Sequence, residues 1–189
     1  MYRDACRVES DETLMLAVGS GDLEAFEQIV QRYQGEAWRV AYRFTGDAAE
    51  AEDLAQEAFM RVLNAAARYR PTAKFRTWFY RILTRLCLDS RRKRRPVLAP
   101  PPDDEASHSP SPLQQASEAE RDRFIQAALD ALPVDHRMAV VLRYFEGLSA
   151  EQMAAAMGRS VKAVERLLAR GRAALKPRLE ALLTDETPE

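Results

Sequence analysis

The sequence predicts an all-α protein built from two small helical domains joined by a flexible linker. Only seven glycines occur in 189 residues, while Ala, Leu, Glu and Arg are abundant, a composition that favours helix. Several segments repeat apolar residues at helical spacing behind a capping residue. Between them, residues 96–120 contain six of the ten prolines, five acidic residues and no lysine or arginine. A stretch of this kind buries too little apolar surface to order itself, so it separates two modules.

This proline-rich stretch sets the predicted boundaries. The first domain spans residues 9–95, the acidic linker residues 96–116, and the second domain, which contains a helix-turn-helix, residues 117–183.

The composition also excludes several classes of protein. The two cysteines, Cys6 and Cys87, match no metal-ligand spacing and are too few for a disulfide framework, which indicates a reducing, cytoplasmic location. No stretch approaches the roughly 18 apolar residues of a membrane span, and the first residues lack the pattern of a signal peptide. His108 and His136 have no triad or ligand partners, and no phosphate-binding glycine loop or catalytic carboxylate pair occurs. We therefore expect no membrane insertion, enzymatic activity, cofactor or metal.

The formal net charge of -1 conceals strong segregation along the chain. Residues 9–57 contain 12 acidic and 3 basic side chains, whereas residues 68–95 contain 1 acidic and 11 basic side chains. Residues 159–178 contain 1 acidic and 7 basic side chains. Because a polyanion responds to the local field, the two basic regions predict two separate anionic contacts.

The first domain begins with ordinary core helices. Asp22 caps a helix whose inward face is predicted to hold Leu23, Phe26, Ile29, Val30 and Tyr33. Asp47, followed by Glu50, begins a second helix with one apolar side. Its other side carries polar residues, which fit either a solvated surface with a Glu57–Arg61 pair or a docking surface. Periodicity alone favours the solvated surface. The polar residues in question include Asp53, Gln56, Glu57 and Arg61.

The basic region of the first domain lies on a loop and a long helix. Phe75, Trp78 and Phe79 begin a core stripe, and we expect the outward side of the helix to present Arg76, Arg81, Arg85, Arg91, Arg92 and Lys93. Aromatic rings interleaved with cations suit single-stranded nucleic acid, although for the aromatics alone packing in the core is the favoured interpretation. Five consecutive basic residues, 91–95, are costly to hold together without an anionic partner.

The second domain ends in a helix-turn-helix pattern. Two supporting helices, one ended by Pro133 and the next begun by Asp135, precede it. Ser149 and Gln152 form a capping box, Gly158 supplies a left-handed stop, and Ser160 caps the following helix. On that helix Lys162, Arg166 and Arg170 lie on the side opposite an apolar arc. This pattern favours one packed face and one face that contacts DNA over the alternative, an ordinary helix hairpin with a solvated basic side.

These motifs, in this order, resemble the bacterial RNA polymerase sigma factors of the extracytoplasmic-function (ECF) subgroup. The segment "AEDLAQEAFMRV" is similar to the family's polymerase-binding helix. The segment "YRPTAKFRTWFYRILTRLCLDSRR" is similar to the region that melts and reads the minus-ten element, and the helix-turn-helix is similar to the minus-thirty-five reader. The resemblance implies a transcription initiation factor that binds core RNA polymerase and promoter DNA. An anti-sigma factor is a candidate further partner.

The resemblance also implies a role for each predicted site residue. The residues implied to contact the polymerase are Asp53, Gln56, Glu57 and Arg61. This implication reverses the preference for a solvated surface on that side of the helix. The loop 69–74 is implied to hold a flipped-out base. The residues implied to contact the minus-ten element are Tyr69, Arg70, Lys74, Arg81, Arg85, Arg91 and Arg92. Minus-thirty-five contacts fall to Arg159, Ser160, Lys162, Arg166 and Arg170.

Two departures from the family pattern limit what can be transferred. Glu165 and Leu167 replace commoner polar or basic residues of the recognition helix, and Pro71 lies in the minus-ten loop. Base preferences therefore cannot be copied from a relative. The rival interpretation is a self-sufficient helix-turn-helix regulator that binds a palindrome as a dimer.

Overall fold

The computed structural model describes residues 9–93 and 112–185, which form helices joined by short turns. The prediction of an all-α protein is confirmed. None of the helices in these residues combines the length and the apolar composition that a membrane crossing requires.

The first domain consists of helices α1 to α4 and one 3-10 turn. They are α1 (Asp11–Gly19), α2 (Leu23–Thr45), α3 (Ala48–Ala65), the turn Ala66–Arg68 and α4 (Phe75–Lys93). Side chains of Ser10, Asp22 and Asp47 accept hydrogen bonds from the first turns of α1, α2 and α3, as capping residues do. Arg94 and Arg95, which complete the predicted basic run, lie outside the described residues.

The core of the first domain is formed where these helices meet. Ile29, Phe44, Phe75 and Phe79 are completely buried, with Tyr33 among their aromatic neighbours. Leu23 is 68% exposed, so its predicted place in the core is wrong. Leu23 is the first residue of α2, and its neighbours Asp22 and Glu24 are exposed as well, so the core does not extend to this end of the helix.

The second domain consists of helices α5 to α8. They are α5 (Pro112–Asp130), α6 (Val134–Val140), which continues as a π-helical turn over Val141–Phe145, α7 (Ala150–Met157) and α8 (Val161–Asp185). Helix α5 begins five residues before the predicted start of this domain at residue 117, inside the stretch assigned to the linker. A proline is tolerated in the first turn of a helix, where its missing N–H is not needed. The rest of that linker lies outside the described residues.

The two domains are in contact at the carboxyl end of α2. Its last three carbonyls each accept a hydrogen bond from a side chain outside the helix: Arg43 O from Gln126 (3.4 Å), Phe44 O from Arg137 (2.7 Å), and Thr45 O from Arg91. The last carbonyls of a helix have no partner within it and carry its negative dipole end. Two of these three donors come from the second domain, so the end of α2 is a docking point for it.

Gly46 lets the second domain approach this docking point. Its φ is +72°, in the left-handed region that favours glycine. A Cβ at this position would lie 3.1 Å from both Asp130 Oδ2 and Gln126 Nε2. Gly46 therefore allows α2 to end in a left-handed conformation and leaves the space that the side chains of α5 occupy.

A second group of contacts joins α4 to the residues after α6. Tyr80 Oη lies 2.7 Å from Glu36 Oε2 and 2.5 Å from Glu146 Oε2. The phenol O–H therefore lies within hydrogen-bond distance of two carboxylates, one on α2 and one after α6. Arg76 donates to the Glu146 carbonyl (3.1 Å) and lies beside Glu36.

The buried carboxyl of Glu146 makes the contact between the domains dependent on pH. Burial raises the pKa of Glu146, and Glu36 adds to the increase, while the Tyr80 hydrogen bond, Arg39 and Arg76 oppose it. A raised pKa in the packed arrangement stabilises that arrangement below the ordinary pKa of about 4.3, and the contribution is lost as pH rises through the raised value. We expect the domain contact to weaken over that rise and Glu146→Gln to remove the dependence. Energy transfer between dyes on the two domains measures this, and parallel pH profiles for both chains would contradict it.

Candidate functional site

The acidic side of α3 is presented to solvent. Asp53, Gln56, Glu57 and Arg61 are all exposed. The predicted Glu57–Arg61 pair is present, with Arg61 Nε 2.8 Å from Glu57 Oε1. About half of each of these two side chains is exposed, so the pair adds little to stability and leaves both charges available to a partner. Met60 on the same helix is 52% exposed.

A hollow of about 510 Å³ lies beside this side, between α2 and α3. Gln56 and Glu52 line it from α3, and Trp38 lines it from α2. The Trp38 ring stacks on Tyr42, with ring centroids 4.9 Å apart. No role for Trp38 was predicted from the sequence. The available signal was the Trp38–Tyr42 spacing of one turn on an otherwise polar side of α2.

The loop between α3 and α4 has a buried beginning and an exposed remainder. Tyr69 is only 4% exposed, because its ring packs against Phe75 and Trp78. Residues 70–74, which include Arg70 and Lys74, are exposed. The loop can therefore meet DNA through its exposed residues, while Tyr69 supports it from beneath.

The basic residues of α4 do not all face solvent. Arg81, Arg85 and Arg92 are exposed, the last two beside Asp89 at 3.8 and 3.4 Å. The outward placement predicted for Arg76 and Arg91 is wrong, because each is half-buried and donates to a carbonyl of another element. Three arginines of this helix thus remain open to an anionic strand.

The helix-turn-helix is capped as predicted. Ser149 and Gln152 form the reciprocal capping box of α7, and Gly158 adopts φ +63° at its end. The hydroxyl of Ser160 accepts from Ala163 N at 3.3 Å and so caps α8. Arg159, next to this cap, forms a 2.6 Å ion pair with Asp135. Ser160 and Arg159 therefore already make contacts that hold the turn between α7 and α8.

The basic stripe of α8 is exposed as predicted. Lys162, Arg166 and Arg170 are exposed, whereas Val164 and Leu175 are buried. Arg166 and Arg170, together with Arg159, line a hollow of about 250 Å³. Clustered guanidinium groups with room between them suit phosphate oxygens or the edge of guanine. This geometry can hold DNA against the helix.

The described residues contain no group of three or more His, Cys, Asp or Glu placed to bind a metal ion. The candidate site consists instead of three exposed charged surfaces: the acidic side of α3, the loop 69–74 with α4, and the stripe of α8. Two of these are basic and one is acidic.

Known proteins share these features in the same order. Residues 29–97 match the family model Sigma-70 region 2, and residues 124–175 match Sigma-70, region 4. The chain is 36% identical over 185 residues to the ECF RNA polymerase sigma factor SigE of Mycolicibacterium smegmatis, which covers 93% of this chain and 72% of that protein.

Solved structures show a similar architecture. CnrH, in complex with the cytosolic domain of CnrY, matches with a TM-score of 0.70 and 28% identity, covering 95% of this chain and 100% of that one. RpoE of Bartonella quintana, in complex with the anti-sigma factor NepR, matches with a TM-score of 0.65 and 22% identity, covering 82% and 96%. At 22% identity, the match to RpoE supports the fold of this chain only.

Two helical domains with these surfaces define a promoter-recognition protein. The chain belongs to the ECF family of RNA polymerase sigma factors. It is a transcription initiation factor that directs RNA polymerase to promoters.

Proposed function

We propose that the three charged surfaces divide promoter recognition between them. The acidic side of α3 binds core polymerase, the loop 69–74 with α4 captures the melted minus-ten strand, and the stripe of α8 reads the minus-thirty-five duplex. The observation that carries this division is the separation of one acidic and two basic exposed surfaces on helices of known family order.

The exposure of the acidic surface supports the role proposed for it. Asp53 and Glu57 lie one turn apart on α3, and Glu57 is held only by a half-exposed pair. The adjoining hollow beside Trp38 offers an apolar anchor next to the charges, the combination that interfaces use for affinity and specificity.

Reversing both charges should weaken polymerase binding without unfolding the chain. We expect Asp53→Lys with Glu57→Lys to lower the affinity for core enzyme at least tenfold, about 1.4 kcal/mol. Both side chains are exposed, so the melting temperature should change little. Glu24→Lys, an exposed acid in the first turn of α2, is the matched control. Unchanged affinity of the double variant in a titration against core enzyme would refute the assignment.

The minus-ten surface combines two kinds of contact. Arg81 and Arg85 offer charge for phosphates, and the exposed loop offers polar groups for a base. Unstacking a base costs a few kcal/mol, which contacts with the phosphates offset once the strand is held. In this account the polymerase supplies the remaining contacts, and the chain supplies register and sequence choice without catalysis.

The packed arrangement of the domains must open for both elements to be read. The minus-ten and minus-thirty-five elements lie about 25 base pairs apart, or about 85 Å at 3.4 Å per base pair. Helix α8, with 25 residues, is about 37 Å long. Domains in direct contact cannot span that separation.

An anti-sigma factor is a further proposed partner, since RpoE was solved with one. The proposed location is the cytoplasm, where the chain acts with its polymerase.

A further inference from the structure

The loop Tyr69–Lys74 is fixed at both ends by contacts from outside it. Tyr69 is buried at its beginning. Directly after its end, the N–H of Phe75 donates to Glu12 Oε1 at 2.7 Å. Glu12 belongs to α1 and lies 63 residues away in sequence. The residues between these ends are exposed, so the loop is an open surface on a fixed frame.

Glu12 supplies α4 with a cap from another helix. The first N–H groups of a helix have no partner within it. Lys74, which precedes Phe75, has no side-chain acceptor. A carboxylate at this end is also favoured by the helix dipole. Helices α1, α2 and α3 have local caps, whereas the start of α4 depends on α1.

The first turn of α1 is itself anchored. Asp11 accepts hydrogen bonds from Arg32 at 2.8 Å and from Tyr33 Oη at 2.5 Å. Burial, followed by the Asp11 hydrogen bond and charge, raises the pKa of Tyr33, so its hydroxyl remains a donor at neutral pH. The Tyr33 ring meets the Phe75 ring at 5.1 Å. These contacts hold Glu12 beside the first residue of α4.

We propose that Glu12 is a positioning residue for minus-ten recognition, whose carboxylate fixes where α4 begins and thereby holds the loop in the conformation that captures an unpaired base. This inference rests on the proposed role of the loop. A loop that is ordered before the strand arrives loses less conformational freedom on binding. Glu12 acts through the backbone of Phe75 and makes no contact with DNA.

The test compares two replacements of Glu12 in the assembled holoenzyme. We expect Glu12→Ala to weaken binding of a single-stranded minus-ten oligonucleotide about fivefold, the equivalent of about 1 kcal/mol for a lost cap. Glu12→Gln should stay within about twofold, because an amide oxygen also accepts a hydrogen bond. The control Glu24→Ala removes an exposed acid of α2 and should change nothing. Core affinity should be the same for all four chains.

Each alternative result has a separate meaning. Equal losses for Glu12→Ala and Glu12→Gln would overturn the positioning role, as would a Glu12→Ala chain that also loses core binding. Arg81→Ala, measured in parallel, tests the proposed function itself. A loss with Arg81→Ala alone overturns the inference and keeps the minus-ten surface. No loss with either Arg81→Ala or Glu12→Ala overturns the minus-ten surface, and the inference with it.

Discussion

Replacing Arg137 with alanine is expected to separate the two domains. The Arg137 side chain is only 9% exposed and donates to Phe44 O, Asp130 O and Asp130 Oδ1 at 2.6 to 2.7 Å. Removing it leaves the Phe44 carbonyl buried without this donor. Hydrogen bonds to charged groups contribute about 1.5 to 3 kcal/mol. Because Asp130 is 45% exposed and can be hydrated, we expect a loss of about 2 kcal/mol, which is about thirtyfold in the packing equilibrium.

Energy transfer between dyes at exposed Glu24 and Ala173 measures this separation. Arg123→Ala, an exposed arginine of α5, is the matched control and should leave the transfer unchanged. Gly46→Ala tests the same contact from the first domain, because its Cβ would lie too close to the side chains of Asp130 and Gln126. The account requires both variants to lower the transfer. Wild-type transfer in Arg137→Ala would show that the carboxyl end of α2 is not the docking point.

The second large effect is expected from the stripe of α8. Each phosphate-binding Lys or Arg changed to Ala reduces the salt slope by about one unit, so changing Lys162 and Arg170 together should reduce it by about two. A base-reading arginine behaves differently, because its loss costs about 1 to 3 kcal/mol and relaxes preference at one position. Arg166, in the middle of the stripe and beside Glu165, is the candidate reader.

A holoenzyme binding screen against a randomised upstream element separates these two kinds of contact. Arg166→Ala should lose preference at one position, whereas Lys162→Ala should weaken binding to all sequences alike. Arg178→Ala, exposed and further along α8, is the control. If Arg166→Ala keeps the wild-type base preferences at full strength, the stripe is a surface charge pattern only.

The features predicted correctly from the sequence are mostly those that depend on residues close together in the chain. The capping box of α7, the stop at Gly158 and the exposed stripe of α8 depend on residues a few positions apart, which periodicity and capping rules describe. The acidic side of α3 was predicted for the same reason. The role of that side came from the family resemblance, because an exposed pair such as Glu57–Arg61 has the same pattern whether or not a partner binds it.

Most of the errors and omissions involve contacts between distant segments. Arg91 was expected to face outward and instead reaches Thr45, 46 residues away. Arg137 reaches Phe44 across 93 residues, and Glu12 reaches Phe75 across 63. Such partners are set by how helices pack, and no local pattern of residues encodes them. Arg76 was misplaced for the same reason, since Glu36 and the Glu146 carbonyl meet it only in the folded chain.

This chain gives core polymerase its choice of promoter. Run-off transcription over genomic DNA, with purified core enzyme in the presence and absence of the chain, measures that choice. The expected result is a set of discrete start sites that appear only with the chain and share one element near minus thirty-five and another near minus ten. Transcription that does not change on adding the chain, with the chain alone bound to palindromic sites, would contradict it and favour a dimeric helix-turn-helix regulator.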